Sequence, residues 1–478
     1  MVWIALALLL FIFQIAAILI AEFRRPSKAI AWLSISFLLP FVGFLVYYFI
    51  AREYRQRTKV RRRERQMVEE ANRHQLPRHA QTLRRADDFR NERLREERRL
   101  IELLRSFPDA AITLRNDTKV LASAQETYRL MLEDIERAQD HIHMLYYIWN
   151  DDVYGRKFHD VLIRKALEGV EVRIIYDGIG AYSTPKGFWN GLREAGGHVH
   201  CFLPAFIALF DKRLNYRNHR KITIADGLFG YVGGINIGDE YTGKDKKLGY
   251  WRDASVRLSG DAVYELQRTF FKDWEFVCGE KLPYSERFYP KHEVSARDTV
   301  QIVPSGPDTN WNTILEMYFA AICTAKERIY ITSPYLIPDR SLLMALKTAA
   351  LAGVDVRIVI PGVADSKLTM WASLSFVEEL LQTGIRIYRY RKGFMHAKII
   401  VVDSHFASTG TANMDLRSFF DNFEINAAFF DEHIVTRFAS DVLLDISDSE
   451  ELKLAEFAKR GRLEIGKEAL GRLVSPLL

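Results

Sequence analysis

Only three cysteines occur in 478 residues, Cys201, Cys278 and Cys323, far apart and with no CxxC pair. A disulfide scaffold and a cysteine-based zinc module are thereby excluded. With 14 prolines and 27 glycines, the chain is too poor in both to be collagen-like or of low complexity. A large excess of one charge is also missing: 67 Lys and Arg face 61 Asp and Glu, for a net charge of +6. That small surplus is local. Residues 52–65 hold eight cations against two acids, while residues 106–478 sum to −4. A body that gripped a polyphosphate backbone would be basic, so the charge distribution argues against a nuclease and against a nucleic-acid partner. What is present is apolar: 48% of residues are hydrophobic, enough for packed cores, and the length suggests about three units.

Residues 3–21, WIALALLLFIFQIAAILIA, carry no charge, and a second apolar run covers 29–51. About 20 helical residues span a hydrocarbon core of roughly 30 Å. The expectation is an N-terminal transmembrane helical hairpin over 1–51, with Trp3, Trp32, Tyr47 and Tyr48 toward the interfaces and a kink at Pro40 and Gly43. A cleaved signal peptide fits poorly, because no Lys or Arg precedes the first run. The cations after Tyr48 outweigh those in the turn, which predicts two crossings, both termini inside and the body on the cytoplasmic face of a bacterial inner membrane. The same cations suit a bilayer with anionic headgroups. Residues 52–105 read as a basic, Arg-rich helical stalk.

Beyond residue 105 the chain repeats itself. ALEGVEVRIIYDG (166–178) returns as ALAGVDVRIVIPG (350–362), and the turn at Gly197 returns at Gly384. Each copy reads as helix, glycine stop and buried strand. Strand and helix alternate, so the predicted fold class is α/β: two tandem α/β sandwich halves with mixed central sheets, over 106–290 and 291–478. A pseudo-two-fold relation would put a site at their interface.

The repeated chemistry is more specific. His219-Arg-Lys221-Ile-Thr-Ile-Ala-Asp226 is followed after six residues by Gly233-Gly234-Ile-Asn236. His396-Ala-Lys398-Ile-Ile-Val-Val-Asp403 is followed after six by Gly410-Thr411-Ala-Asn413. In an extended segment, residues two apart share a face, so each His and its Lys point the same way. Two imidazoles can flank one phosphorus, one attacking it and the other protonating the leaving oxygen. Lys221, Lys398, Asn236 and Asn413 can hold and neutralise the phosphate oxygens. No metal and no cofactor is needed for this chemistry. The Thr411 hydroxyl, standing where the first copy has Gly234, could also donate to a phosphate.

The paired H-x-K-x4-D motifs resemble the phospholipase D superfamily, and the chain is similar to its bacterial cardiolipin synthases. The similarity rests also on RRPSKAIAW, YRNHRKITIADGLFGYVGGINIGDEY (216–241), WRDASVRLSG (251–260), TSPYLIP (332–338) and GTANMDLRSFFDNFEIN (410–426). It implies phospholipase D-like halves and a phosphatidyl transfer between two phosphatidylglycerol molecules, one donor and one acceptor, through a phosphatidyl-histidine. It places Asp226 and Asp403 with the catalytic motifs, although seven residues from the histidine they could instead serve as structural partners of the lysines or the backbone. It implies that His219 is the nucleophile and His396 the general acid and then base, an order the residues alone leave open. It further implies an acidic residue that orients each histidine; Glu424 and Asp253 fit. A phospholipase D-type hydrolase would need the same residues, so it stands as the alternative, with a membrane-bound nuclease behind it. Leu203–Phe210 could line an acyl-chain route or fill core, and Ser447–Glu451 reads as a polar turn.

Overall fold

The computed structural model describes residues 2–22, 26–48, 77, 79–83, 88–204, 216–245, 247–283, 285–309 and 311–478. The basic cluster at 52–65 and most of the apolar run 203–210 lie outside them.

After β1 (Ile112–Thr113), the first half supplies β2 (Asn116–Leu121), β3 (His141–Tyr146), β4 (Glu171–Asp177), β5 (His198–Phe202), β6 (Ile222–Ala225), β7 (Phe229–Gly233), β8 (Tyr250–Arg252) and β9 (Ser255–Gly260). The second half supplies β10 (Val300–Ser305), β11 (Arg328–Thr332), β12 (Asp355–Pro361), β13 (Arg386–Tyr390), β14 (Gly393–Met395), β15 (Ile399–Val402), β16 (Phe406–Gly410), β17 (Glu424–Phe429) and β18 (Ser449–Leu452). The first sheet runs β2-β9-β7-β6-β3-β4-β5. The second runs β1-β10-β17-β16-β15-β11-β12-β13-β18, and its seven inner strands repeat the first sheet in order. In each sheet three strands pair in parallel (β3-β4-β5 and β11-β12-β13) and the others antiparallel, so both sheets are mixed. β3 is buried along its whole length, as a central strand covered on both faces must be.

The two sheets share a core. Ile222, Ile224, Val256 and Leu258 of one pack in a cluster with Ile302, Ile399, Val401 and Ile425 of the other. Each fully buried aliphatic side chain of this kind stabilises by about 1.5–3 kcal/mol. Helices cover the outer faces. Ala124–Arg137 starts where the Ser123 hydroxyl accepts the Glu126 N–H, and Lys367–Leu381 starts on the Ser366 hydroxyl in the same way. The latter helix buries Ala372, Phe376, Val377 and Leu380, which makes its apolar spacing core packing.

Three regions differ from the sequence reading. Residues 92–96 and 98–106, assigned to the stalk, are helices that bury Leu94, Leu100, Ile101 and Leu104 in the second half's core. Ser449–Leu452 is not a turn but the edge strand β18, held to β13 by antiparallel pairing and by Arg386–Glu451. The second apolar run is not one helix. Pro26–Leu38 stops, the chain reverses at 39–41, and Val42–Val46 starts a new helix. The first run is a helix, Val2–Ala21, with no charged residue. Counting only described side chains, which leaves out five in this helix, no helix is long and apolar enough to cross a membrane.

Candidate active site

Each motif histidine lies just before a central strand, β6 or β15, and is tied to the opposite half. The His219 N–H donates to the Phe423 carbonyl at 2.9 Å, and its Nδ1 lies 3.0 and 3.1 Å from the two Glu424 carboxylate oxygens. The His396 N–H donates to the Arg252 carbonyl at 2.8 Å, and its Nδ1 lies 2.6 Å from Asp253 Oδ2. Phe423 directly precedes Glu424, and Arg252 directly precedes Asp253. One pattern is therefore used twice, crossed over: each half supplies a histidine and the carboxylate that holds the other half's histidine. The crossing is built by β8 pairing with β14 in one direction and by the Asn218–Phe423 bridge in the other.

A carboxylate on Nδ1 puts the ring proton there and leaves the Nε2 lone pair free. The His219 side chain keeps 13% exposure and His396 10%, while Glu424 and Asp253 are sealed at 0% and 1%. Burial, with help from the Lys221 and Lys398 charges, lowers His219 to about 4. His396 is lowered by burial and by Lys398. Both rings are therefore neutral at physiological pH. Burial would raise Glu424, but His219, Lys221 and Thr411 outweigh it, so the carboxyl is held below its ordinary value. Asp253 is lowered in the same way, Lys398 and His396 outweighing its burial.

Each lysine folds back on its own histidine. Lys221 Nζ donates to the His219 carbonyl at 2.7 Å, and Lys398 Nζ to the His396 carbonyl at 2.5 Å. Burial lowers Lys221 to about 7 and Lys398 to about 8. Each feels the other half's carboxylate as well as its own, which puts all four charged groups within one electrostatic neighbourhood. Tyr147 packs edge-on against the His219 ring at 5.1 Å, and Trp251 lies 5.0 Å from the His396 ring.

Comparisons with known proteins identify the family. A family model described as cardiolipin synthase, PLD-like domain, matches residues 131–274 and 318–443, and one described as phospholipase D-nuclease N-terminal matches 2–52. The major cardiolipin synthase of Bacillus subtilis is 40% identical over 481 residues, covering 99% of each chain. Cardiolipin synthase 2 of Bacillus anthracis is 40% identical, covering 98% of this chain and 90% of its own. The chain belongs to the cardiolipin synthase family. A phosphatidylserine synthase from Haemophilus influenzae has the same fold, with a TM-score of 0.59 at 14% identity over 80% of this chain and all of that one.

Within this family frame, several motif residues stand elsewhere than their spacing suggested. Asp226 and Asp403 do not join the histidines. Each sits at the far end of its strand with φ near +50°, a left-handed position that Asp tolerates. The Asp226 carboxylate accepts the N–H groups of Gln139, Asp140 and His141, and Asp403 those of Lys326, Glu327 and Arg328. They clamp the start of β3 and β11. The Asn236 side-chain oxygen accepts the Ile148 N–H at 3.1 Å. Asn413 Nδ2 donates to Asp415 at 3.1 Å, while its buried Oδ1 has no hydrogen-bond partner among the described residues.

Thr411 is committed inward. Its hydroxyl donates to Glu424 Oε2 at 2.5 Å and accepts the Ile425 N–H, so it faces the carboxylate and not a phosphate. Asn422 Nδ2 adds a third donor to Glu424 at 3.1 Å. The equivalent Gly234 has no such freedom: a Cβ there would lie 2.1 Å from Asp253 Oδ1. Arg220, the unremarked middle residue of the first motif, is buried and reaches Asp273 at 2.6 Å, the Glu424 carbonyl at 3.0 Å and the Ser305 carbonyl at 3.1 Å. Its counterpart is Ala397, and this asymmetry between copies was the available sequence signal. Among the described residues no group of three or more His, Cys, Asp or Glu could hold a metal ion.

Proposed function

We propose that the crossed histidine pair transfers a phosphatidyl group from one phosphatidylglycerol to another, giving cardiolipin and glycerol. This makes the chain a phosphatidyltransferase of the phospholipase D type. The neutral His219 Nε2 attacks the donor phosphorus, and the bond to the glycerol oxygen breaks as His396, which takes up a proton at Nε2 when the anionic donor phosphate binds, delivers that proton to that oxygen. The neutral His396 then takes the proton of the acceptor's terminal hydroxyl. That oxygen attacks phosphorus, the P–N bond breaks and His219 is regenerated. Lys221 and Lys398 hold the non-bridging oxygens, with Asn236 and Asn413 beside them. Glu424 and Asp253 keep each proton on Nδ1 and stabilise the imidazolium when it forms.

The observation that carries this reading is the reciprocal bonding of His219 to Glu424 and His396 to Asp253, which gives two neutral rings at one interface. The organisation we assign is a membrane anchor over 1–51, a basic linker that ends before the core-packed helices of 92–106, and two halves meeting near 290. The anchor holds the body against the cytoplasmic face of a bacterial inner membrane, where the cations of 52–65 meet anionic headgroups. At 20 residues, Val2–Ala21 is about 30 Å long, a full hydrocarbon thickness.

The test is product analysis after incubating the purified protein with phosphatidylglycerol. Cardiolipin and free glycerol in equal amounts are expected. Phosphatidic acid without cardiolipin would instead make the protein a hydrolase.

A further inference from the structure

Resting on the membrane-anchor reading, we infer that the second apolar run does not cross the bilayer but enters it and returns on the same side. The first helix is then the only crossing among the described residues. Pro26–Leu38 and Val42–Val46 lie antiparallel: a Cβ on Gly43 would stand 2.8 Å from the Ser36 Cα, and the Tyr47 ring packs on Trp32 at 5.5 Å. The segment leaves the body near residue 28 and is back beside its own start at residue 47. At 13 residues, Pro26–Leu38 is about 20 Å long, short of the roughly 30 Å of a hydrocarbon core.

Both ends of this loop adjoin the catalytic body. Lys28 pairs with Asp421 at 3.5 Å, and Leu477 packs against the cluster of Ile18, Ala29, Trp32 and Tyr47. Tyr47 also donates to Glu22 at 3.3 Å, so the end of the first helix lies there too. The turn charges and the eight cations of 52–65 then fall on one face of the membrane. A two-crossing hairpin satisfies the charge rule only by translocating the smaller cluster of Arg24, Arg25 and Lys28, whereas the re-entrant loop translocates none of them.

The tip is made for lipid. Phe37, Leu38, Leu39, Phe41 and Val42 are exposed and adjacent. The backbone N–H groups of Leu39, Val42, Gly43 and Leu45 are bonded within the turn, at 2.7–2.9 Å, and Pro40 has no N–H to leave open. Local bonding of backbone N–H groups is what a bend in hydrocarbon needs, and these four bonds coincide with an apolar surface.

Single cysteines in the full-length protein, with Cys201, Cys278 and Cys323 changed to Ser, test the topology in right-side-out and inverted membrane vesicles. A membrane-impermeant maleimide should label Ser27→Cys and Thr58→Cys from the cytoplasmic face, Trp3→Cys from the opposite face and Phe41→Cys from neither. Labelling of Ser27→Cys from the outer face would overturn the re-entrant loop while leaving the anchor standing. Labelling of Trp3→Cys and Phe41→Cys from the cytoplasmic face would overturn both. Protection of Phe41→Cys that persists in detergent and vanishes on dilution would assign the tip to a second copy and also overturn the inference.

Discussion

The two histidine sites share a plan and differ in finish. Around His219, the Glu424 carboxylate spans Nδ1 with both oxygens and is filled by Thr411 and Asn422. Around His396, Asp253 gives one close oxygen, and Lys398 Nζ stands 3.0 Å from the same Nδ1. The first ring is held rigidly with its Nε2 free, which suits a nucleophile. The second shares its inner nitrogen with a cation, which suits a group that must gain and lose a proton. The two copies share the placement of their sites and differ at single positions, Thr411 where the other copy has Gly234 and Arg220 where the other has Ala397.

The largest effects should come from the rings themselves. His219→Ala and His396→Ala are each expected to lower cardiolipin formation by about 10³-fold or more, with the fold intact by circular dichroism. Near-normal output from either would end the two-histidine scheme. Next come the crossed carboxylates. Glu424→Gln and Asp253→Asn should each cost on the order of 10²-fold in kcat with KM little changed, because a neutral partner no longer stabilises the imidazolium. A loss confined to KM would mean that these acids only shape the pocket.

A pH profile of kcat/KM sharpens the comparison further. The ammonium forms exist below about 7 for Lys221 and about 8 for Lys398, so phosphate holding weakens as pH rises through those values. The neutral His219 is lost only as pH falls toward about 4. The rate should rise as pH climbs past about 4, fall as His396 loses its proton below the ordinary histidine value, and fall further as Lys221 and Lys398 deprotonate. Lys221→Arg should remove part of that last fall while lowering the maximum. Thr411→Ala is the smaller test: losing one hydrogen bond to Glu424 is worth about 0.5–1.5 kcal/mol, roughly a 2- to 10-fold drop in rate. Smallest in activity is Asp226→Asn, or Asp403→Asn. Either should destabilise by about 1–3 kcal/mol in denaturant melts yet leave the turnover of folded protein unchanged.

The motifs were legible because their chemistry is local: two residues apart on an extended segment suffices to align His with Lys. That both halves carry a mixed sheet of one kind was legible from two copies of one strand–helix pattern. The crossing of Glu424 and Asp253 was not, because it depends on β8 meeting β14, a pairing of residues more than 140 apart that no spacing announces. The role of Asp226 and Asp403 stayed open between catalysis and backbone support for the opposite reason. Their regular distance from the histidines marks a strand's length, and a carboxylate at that distance serves the backbone at the strand's other end. The fold-back at Pro40 was visible as a kink, but whether such a bend deflects a helix or reverses it is decided by Gly43 meeting Ser36, a contact across the turn.

Because every imidazole borrows its counter-ion from across the pseudo-symmetry axis, neither copy is a smaller enzyme. A fragment ending near residue 290 would carry His219 without Glu424, and the complementary fragment would carry His396 without Asp253. Neither piece could drift into independent use, and activity from separately made pieces would return only when they reassemble. Joining both copies in one polypeptide thus made reciprocal dependence permanent.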